Sequence, residues 1–220
     1  MSKINTNAVR EQAINIMGDL KNLVSLYMGN EREVTGIEGN TIWSREHKDS
    51  QIKAIRERLA TSTRKEFDKL QEHFEAMIEV MRHNDNIYDF SDPEFSSCLA
   101  LMSAAEKALP HETIVGIAGK FLGNRQALLA LAEVAKGANK DTLSKMVFNT
   151  ESEYERLQDR LIGLDINFPE SILMLPEFKD DILKIVEACG EELTESEKDL
   201  GADYQEIVTM QIRAAMGLPK

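Results

Sequence analysis

The residues able to do chemistry are few and scattered. Four histidines, His47, His73, His83 and His111, stand far apart in the chain. A carboxylate-bridged dimetal bundle needs paired Glu-x-x-His turns on two helices, and the chain has no such pair. Glu79 and His83 lie one helical turn apart and read as a solvated i,i+4 pair rather than as metal ligands. Asn84-Asp85-Asn86 followed by Asp89 lacks the central glycine and in-phase carboxylates of a calcium loop, so it reads as an ordinary turn. Gly116-Ile117-Ala118-Gly119-Lys120-Phe121 fails as a phosphate loop. The first glycine of GxxxxGK would fall on Ile114, and Phe121 stands where the Mg²⁺-binding hydroxyl belongs. Gly116-x-x-Gly119 as a nucleic-acid clamp of the KH type conflicts with the acidic charge and the lack of strands. No serine has a glycine elbow, and neither Cys98 nor Cys189 has a neighbouring histidine. No catalytic, cofactor-binding or metal residue is assigned, no cofactor is expected, and the reading is of a protein that is not an enzyme.

The pattern around these residues is helical. From Ser50 to His83 the chain reads as one long amphipathic helix. Phe67, Leu70, Phe74, Met77 and Met81 recur in steps of three and four, the a/d spacing that keeps one apolar stripe facing a partner. Ile52, Ile55 and Leu59 make the same steps upstream, one residue out of phase across the polar run Ala60-Thr61-Ser62-Thr63. Such a slip turns the stripe by roughly 100°. The stripe has two readings: a core helix of a bundle, or a coiled-coil seam between copies in which those five residues carry self-association.

Before that helix lies an arm. Asn5 to Met28 is predicted as a first helix, ended at Gly29-Asn30 by a left-handed cap. Glu31 to His47 has no helical period and reads as an extended linker or a short hairpin holding the only tryptophan, Trp43. That side chain either packs back on the core or anchors a partner.

After it come short helices. Asp92-Pro93 is an N-cap with proline at the first position, opening a helix to about Leu109. Further helices are predicted over His111–Leu122, Arg125–Lys136 and Asp141–Phe148. Thr150-Glu151-Ser152-Glu153 reads as a capping box opening another. Gly163–Pro176 reads as a bend carrying a bare apolar cluster, Ile172, Leu173, Met174 and Leu175, a candidate partner contact. Asp180–Cys189 is predicted as a short helix, Gly190–Gly201 as loose and acidic, and Ala202–Met216 as the last helix. The fold class expected is all-α: an N-terminal helical arm, a long coiled-coil-like helix, then a bundle of short helices. The divisions fall at 1–47, 48–84 and 91–220.

Composition bounds the function. Hydrophobic residues make up 42% of the chain, enough for a core, and there are only 5 prolines. Net charge is −12, unevenly spread. Residues 1–64 carry 10 basic and 8 acidic side chains, residues 65–150 carry 9 and 13, and residues 151–220 carry 7 and 17. An acidic C-terminal third repels phosphate backbones, which argues against direct nucleic-acid binding. Two cysteines in apolar helical patterns give no disulfide framework and suit a reducing compartment. No apolar run approaches the roughly 20 residues of a membrane span, and Met1 to Asn7 lacks a signal-peptide apolar region. A soluble, non-membrane, non-secreted product is expected.

The segment Ile117-Ala118-Gly119-Lys120-Phe121-Leu122-Gly123-Asn124-Arg125-Gln126-Ala127-Leu128-Leu129-Ala130-Leu131-Ala132 carries a resemblance. Its helix–Gly-Asn–helix pattern, with a long charged helix upstream, resembles small proteins encoded beside the capsid genes of tailed bacteriophages. Gln126-Ala127 departs from the Thr-Met often found after that junction, and the likeness spans roughly residues 50–136. The resemblance implies a virion structural or assembly role, scaffold-like or capsid-associated, without chemistry, in the host cytoplasm or the virion. Other virion or capsid proteins and further copies of the chain would be the partners. Ten methionines suit adaptable contacts of that kind. An acidic inhibitor or nucleic-acid mimic, blocking a host nucleic-acid-binding or defence protein, is the alternative expectation.

Overall fold

The computed structural model describes residues 6–86, 89–105 and 109–215, with side chains through residue 210 except that of Asn86. Among the described residues there are ten α-helices, two 3-10 turns and no strand. The helices are α1 (Thr6–Glu38), α2 (Arg45–Asn86), α3 (Pro93–Ala104), α4 (His111–Ala118) and α5 (Arg125–Val134). They continue as α6 (Ala138–Met146), α7 (Thr150–Ile166), α8 (Leu175–Ala188), α9 (Glu195–Lys198) and α10 (Ala202–Ala215). The 3-10 turns are Gly119–Phe121 and Glu170–Met174. The all-α class read from the periodicity holds.

The first helix runs ten residues beyond its predicted end at Met28. Gly29 and Asn30 are helical, and the Asn30 side chain donates to the Leu26 carbonyl at 2.7 Å instead of capping. A glycine inside a helix costs about 1 kcal/mol relative to alanine, which packing of the long apolar stripe outweighs. The stop comes at Gly39, whose N–H bonds the Thr35 carbonyl, with Asn40 bonding back to Ile37. The Asn40 carboxamide oxygen then accepts from the N–H groups of Ile42 and Trp43, at 2.9 and 3.2 Å. Such an Asx turn reverses the chain. Ser44 Oγ accepts from His47 N–H and starts α2, five residues before the predicted Ser50. Glu31–His47 is therefore mostly helix around a six-residue connection, not an extended linker. Within α2 the polar run stays helical because Thr61 and Thr63 bond their hydroxyls back to Glu57 and Leu59 carbonyls one turn earlier.

The chain divides into two compact units. One comprises residues 1–13, 75–158 and 180–193; the other comprises 14–74, 159–179 and 194–220. Consecutive segments at 1–47, 48–84 and 91–220 are a different partition, because α1, α2, α7 and α8 each give residues to both units.

In the first unit, α3 to α6 enclose a core of Phe95, Cys98, Met102, Ile114, Ile117, Phe121, Leu128, Leu131 and Leu143. The ring of Phe95 meets Phe90 and Phe121 edge to face, with centroids 5.4 and 5.5 Å apart. Asp92 caps α3 as predicted, accepting from Glu94 N–H at 2.8 Å. That helix ends at Ala104 rather than near Leu109; residues 106–108 lie outside the described residues. Leu109 precedes a proline, which disfavours helix, and its N–H is held instead by the buried Asn139 side chain at 2.9 Å. Helix α6 opens at Ala138, after Gly137 at φ +54°, not at Asp141.

In the second unit, residues 14–38 of α1 and 45–74 of α2 pair as an antiparallel helical hairpin. Its interior includes Ile16, Leu20, Leu23, Met28, Leu59 and Leu70. Phe168 closes edge to face on Phe67 at 5.6 Å and on Tyr27 at 6.4 Å. Ser171 donates to the Leu164 carbonyl at 2.7 Å and folds the 3-10 turn back on the end of α7. The chain from Leu175 is helical, five residues before the predicted Asp180. The stretch predicted as loose contains α9, where the Glu197 carboxylate accepts from both the backbone N–H and the hydroxyl of Thr194. Gly201 sits at φ +88°, a left-handed conformation that favours glycine. The predicted Ala202–Met216 helix is α10, with Met216 outside the described residues.

Candidate functional site

The five residues expected to join copies are interior. Phe67, Leu70, Phe74, Met77 and Met81 are all buried within the chain, and Phe74 meets Phe178 edge to face at 6.4 Å. A three-four apolar step demands a partner without saying whose. Here the chain supplies it, so the seam is corrected from a self-association surface to a core.

The other predicted contacts divide. Ile172 and Leu175 are buried, whereas Leu173 and Met174 are 42% and 48% exposed. Trp43 is 41% exposed and its neighbour Ile42 89%, so the tryptophan does not plug the core. Its ring meets the edge of His47, centroids 4.7 Å apart.

The surroundings of Trp43 make this place unlike the rest of the second unit. From Glu31 to Ala54 no residue is buried, although a buried stripe including Leu23, Val24 and Met28 precedes that stretch and Ile55 and Leu59 follow it. Val34, Ile37 and Ile52 are only half-covered. The two helices are tied there by an Arg58–Glu33 ion pair and by the Lys48 ammonium on the Glu38 carbonyl at 2.8 Å. Exposed ion pairs of this kind stabilise by about 1 kcal/mol or less. The hairpin end thus has little core and presents one aliphatic and one indole side chain to solvent. Tryptophan is enriched among the residues that dominate binding energy at interfaces.

Further exposed apolar side chains lie in the same unit. Ile162 and Ile166 stand one turn apart on α7, and Leu173 and Met174 follow on the 3-10 turn that Ser171 folds back. Ile162 and Ile166 were missed in the sequence. Their signal is an i,i+4 apolar pair off the Leu157, Leu161, Leu164 stripe of the same helix.

The Gly-Asn junction, in the first unit, is a structural knot. Gly123 has φ +79° and bonds its N–H to the Ala188 carbonyl. Asn124 is fully buried: its oxygen accepts from Ala127 N–H at 2.8 Å, capping α5, and its NH₂ donates to the Asn84 carbonyl at 2.5 Å. Asp85 accepts from the Arg125 N–H at 2.7 Å and from the Thr150 hydroxyl at 3.2 Å. Thr150 thus serves Asp85 rather than forming the predicted capping box, and Asn149 caps α7 instead, its carboxamide oxygen accepting from Ser152 N–H. Asn84 and Asp85, read as part of a turn, are the end of α2; residues 87–88 lie outside the described residues. Burial pushes the Asp85 carboxyl above its ordinary value, against the N–H and hydroxyl that favour its charge. The cleft beside it, lined by Asp85, Arg125, Thr150 and Cys189, has a volume of about 10 Å³, room for roughly one water. No substrate fits. Burial also pushes the Cys189 thiol up to about 12.

His73 Nδ1 and Asp19 Oδ2 are 2.6 Å apart in the second unit. Burial raises the Asp19 carboxyl while the His73 hydrogen bond pulls the other way. The pair ties α1 to α2, with Glu66 and Lys69 nearby. Among the described residues no three His, Cys, Asp or Glu side chains converge as a metal site. No helix of the described residues is long and apolar enough to cross a membrane.

The acidic excess is partly neutralised within the chain. Arg82 grips both oxygens of Glu151 at 2.8 and 2.7 Å. Arg156 holds Glu153 and the buried Asp181, which also takes Lys184. Arg32 holds Asp203 and Glu206.

No family model, curated protein or solved structure matches the chain.

Proposed function

We propose that this chain is a non-enzymatic virion structural or assembly protein of a tailed bacteriophage, scaffold-like or capsid-associated, acting through protein–protein contacts. The observation that carries the reading is the hairpin end: a 24-residue stretch, Glu31 to Ala54, without one buried residue, tipped by Ile42 and Trp43. Such an element buries little apolar surface against an ordering entropy of about 1–2 kcal/mol per residue. Contact with another molecule offsets it. The exposed Ile162, Ile166, Leu173 and Met174 supply a second contact surface. The Gly-Asn junction that prompted the phage resemblance is a buried, fully built feature rather than a loose cap, which fits a defined small domain around it. Residues 151–206 hold Glu151, Glu153, Asp181, Asp203 and Glu206 on the chain's own arginines and lysines, so part of the charge that an acidic nucleic-acid mimic would present is used within the chain.

Quantitative mass spectrometry of precursor and mature particles from the phage that encodes the chain tests this. Presence in precursors alone identifies a scaffold role, and presence in both a capsid-associated one. Absence from both would overturn the proposal.

A further inference from the structure

We infer that the hairpin beyond Asn30 opens as one cooperative unit in the free chain, and that a polar layer at Asn30 and Thr63 is where the opening stops. The inference concerns the second unit alone. It gives the element read above as a contact site two states, closed and open.

The layer is built from both helices. Asp19 meets His73 and Glu33 meets Arg58 across the hairpin, so Asn30, between them on α1, lies level with the polar run Thr61-Ser62-Thr63 of α2. Asn30 is buried, and its NH₂ is taken by the Leu26 carbonyl of its own helix. Its carboxamide oxygen is buried without a hydrogen-bond donor. Thr63 is buried too, and its hydroxyl bonds back to the Leu59 and Ala60 carbonyls at 2.9 and 3.3 Å. Closing the hairpin withdraws an acceptor from water without supplying it a donor across the interface. Opening rehydrates it.

Packing beside the layer is loose. A groove of about 380 Å³ is lined there by Tyr27, Glu31, Leu59, Ala60, Thr63 and Phe168. Helix α1 is weak at the same place. Gly29 and Gly36 flank the layer, and an added Cβ at either meets nothing within 4 Å, so packing does not require glycine. Each makes the helix about fivefold less favourable than alanine would.

The two sides of the layer differ sharply. On one side Ile16, Leu20, Leu23 and Leu70 are completely buried. On the other no residue of 31–54 is buried, with Ile55 and Leu59 covered at the root. The ties beyond the layer are ionic: Arg58 on Glu33, and Arg32 on Asp203 and Glu206, both arginines more than half exposed. A dense core giving way to a bare hairpin makes the bare part a low-energy opening unit. Opening uncovers Val34, Ile37, Ile52, Ile55 and Leu59 together.

Native-state hydrogen–deuterium exchange on the full-length chain, over a urea series below unfolding, tests it. Amides of residues 31–37 and 49–54 should share one opening equilibrium with one urea dependence. Those of residues 20–28 and 67–74 should exchange through a larger and rarer opening. Asn30→Leu keeps the size and removes the orphaned oxygen, so it should slow exchange of 31–37 and 49–54 about tenfold. Circular dichroism checks that the variant is folded; if it is not, Gly36→Ala replaces it, with an expected slowing of about fivefold. Three results would each overturn the inference. One is protection that climbs residue by residue from Trp43 towards Asn30, which is fraying from the tip. Another is protection of 31–54 equal to that of 20–28. The third is exchange that the folded variant leaves unchanged or speeds. All are read on the free chain, so the virion reading stands or falls separately.

Discussion

Phe74→Asp unfolds the second unit rather than splitting an oligomer. Phe74 is fully buried and meets Phe178 edge to face. Truncation to alanine at such a site costs about 3–5 kcal/mol in lost transfer energy and residual cavity. Loss of the aromatic pair is included in that figure. Aspartate adds a carboxylate with no partner in an apolar interior, a further penalty of several kcal/mol. Domains hold only about 5–15 kcal/mol in total, so the charged variant exhausts the reserve. Circular dichroism with urea should show loss of helix for Phe74→Asp without denaturant. Phe74→Leu, which nearly preserves volume, should remain folded with a lowered midpoint. A folded Phe74→Asp chain of reduced mass would mean that the seam lies between copies after all.

Asn124→Ala destabilises the first unit by about 2–4 kcal/mol. Two losses combine: the α5 cap to Ala127 N–H, worth about 0.5–2 kcal/mol, and the donor to the buried Asn84 carbonyl, whose orphaning costs about 1–3 kcal/mol. The informative comparison is Asn124→Asp. At an ordinary N-cap, aspartate substitutes well for asparagine. Here its carboxylate would face the Asn84 carbonyl at 2.5 Å, with the Asp85 carboxylate bonded to the next residue's N–H. Asparagine's NH₂ is what that geometry needs, so aspartate should be no better than alanine in a urea titration. Full rescue by aspartate would reduce the Gly-Asn junction to plain capping.

Much of the fold was legible because helices announce themselves by local signals. The three-four spacing gave α2 and the stripe of α1, Asp92-Pro93 gave the start of α3, and Gly123-Asn124 gave the restart at α5. Local signals also misled. Gly29-Asn30 has the composition of a helix end, yet the stripe continues through it, and propensities of about 1 kcal/mol yield to packing. Thr150 to Glu153 has the letters of a capping box, but the Thr150 hydroxyl is taken by Asp85, 65 residues away. That link, like the one from Asn124 to Asn84 across 40 residues, leaves no periodic trace.

The candidate site was half legible for a related reason. A lone tryptophan in a polar connection pointed at Trp43, and a bare apolar run pointed at Ile172 to Leu175. Alternation within that run, buried then exposed then buried, comes from the 3-10 turn that Ser171 pins to Leu164. Which side of the long helix met the chain itself was not readable, since a seam within one chain and a seam between copies obey the same spacing. Phe67 to Met81 are buried within the chain, and under the proposed function the contact surface is instead Ile42 and Trp43, before the start of the same helix.

Hydrogen–deuterium exchange, comparing the free chain with the chain in assembled particles, tests that shift most directly. Backbone amides of an element without buried residues open readily. Peptides covering Glu31 to Ala54 should therefore exchange fast in the free chain and gain protection on assembly. Peptides covering Phe67 to Met81 should be protected in both states. Unchanged exchange at Glu31–Ala54, with new protection at Phe67–Met81, would contradict the account.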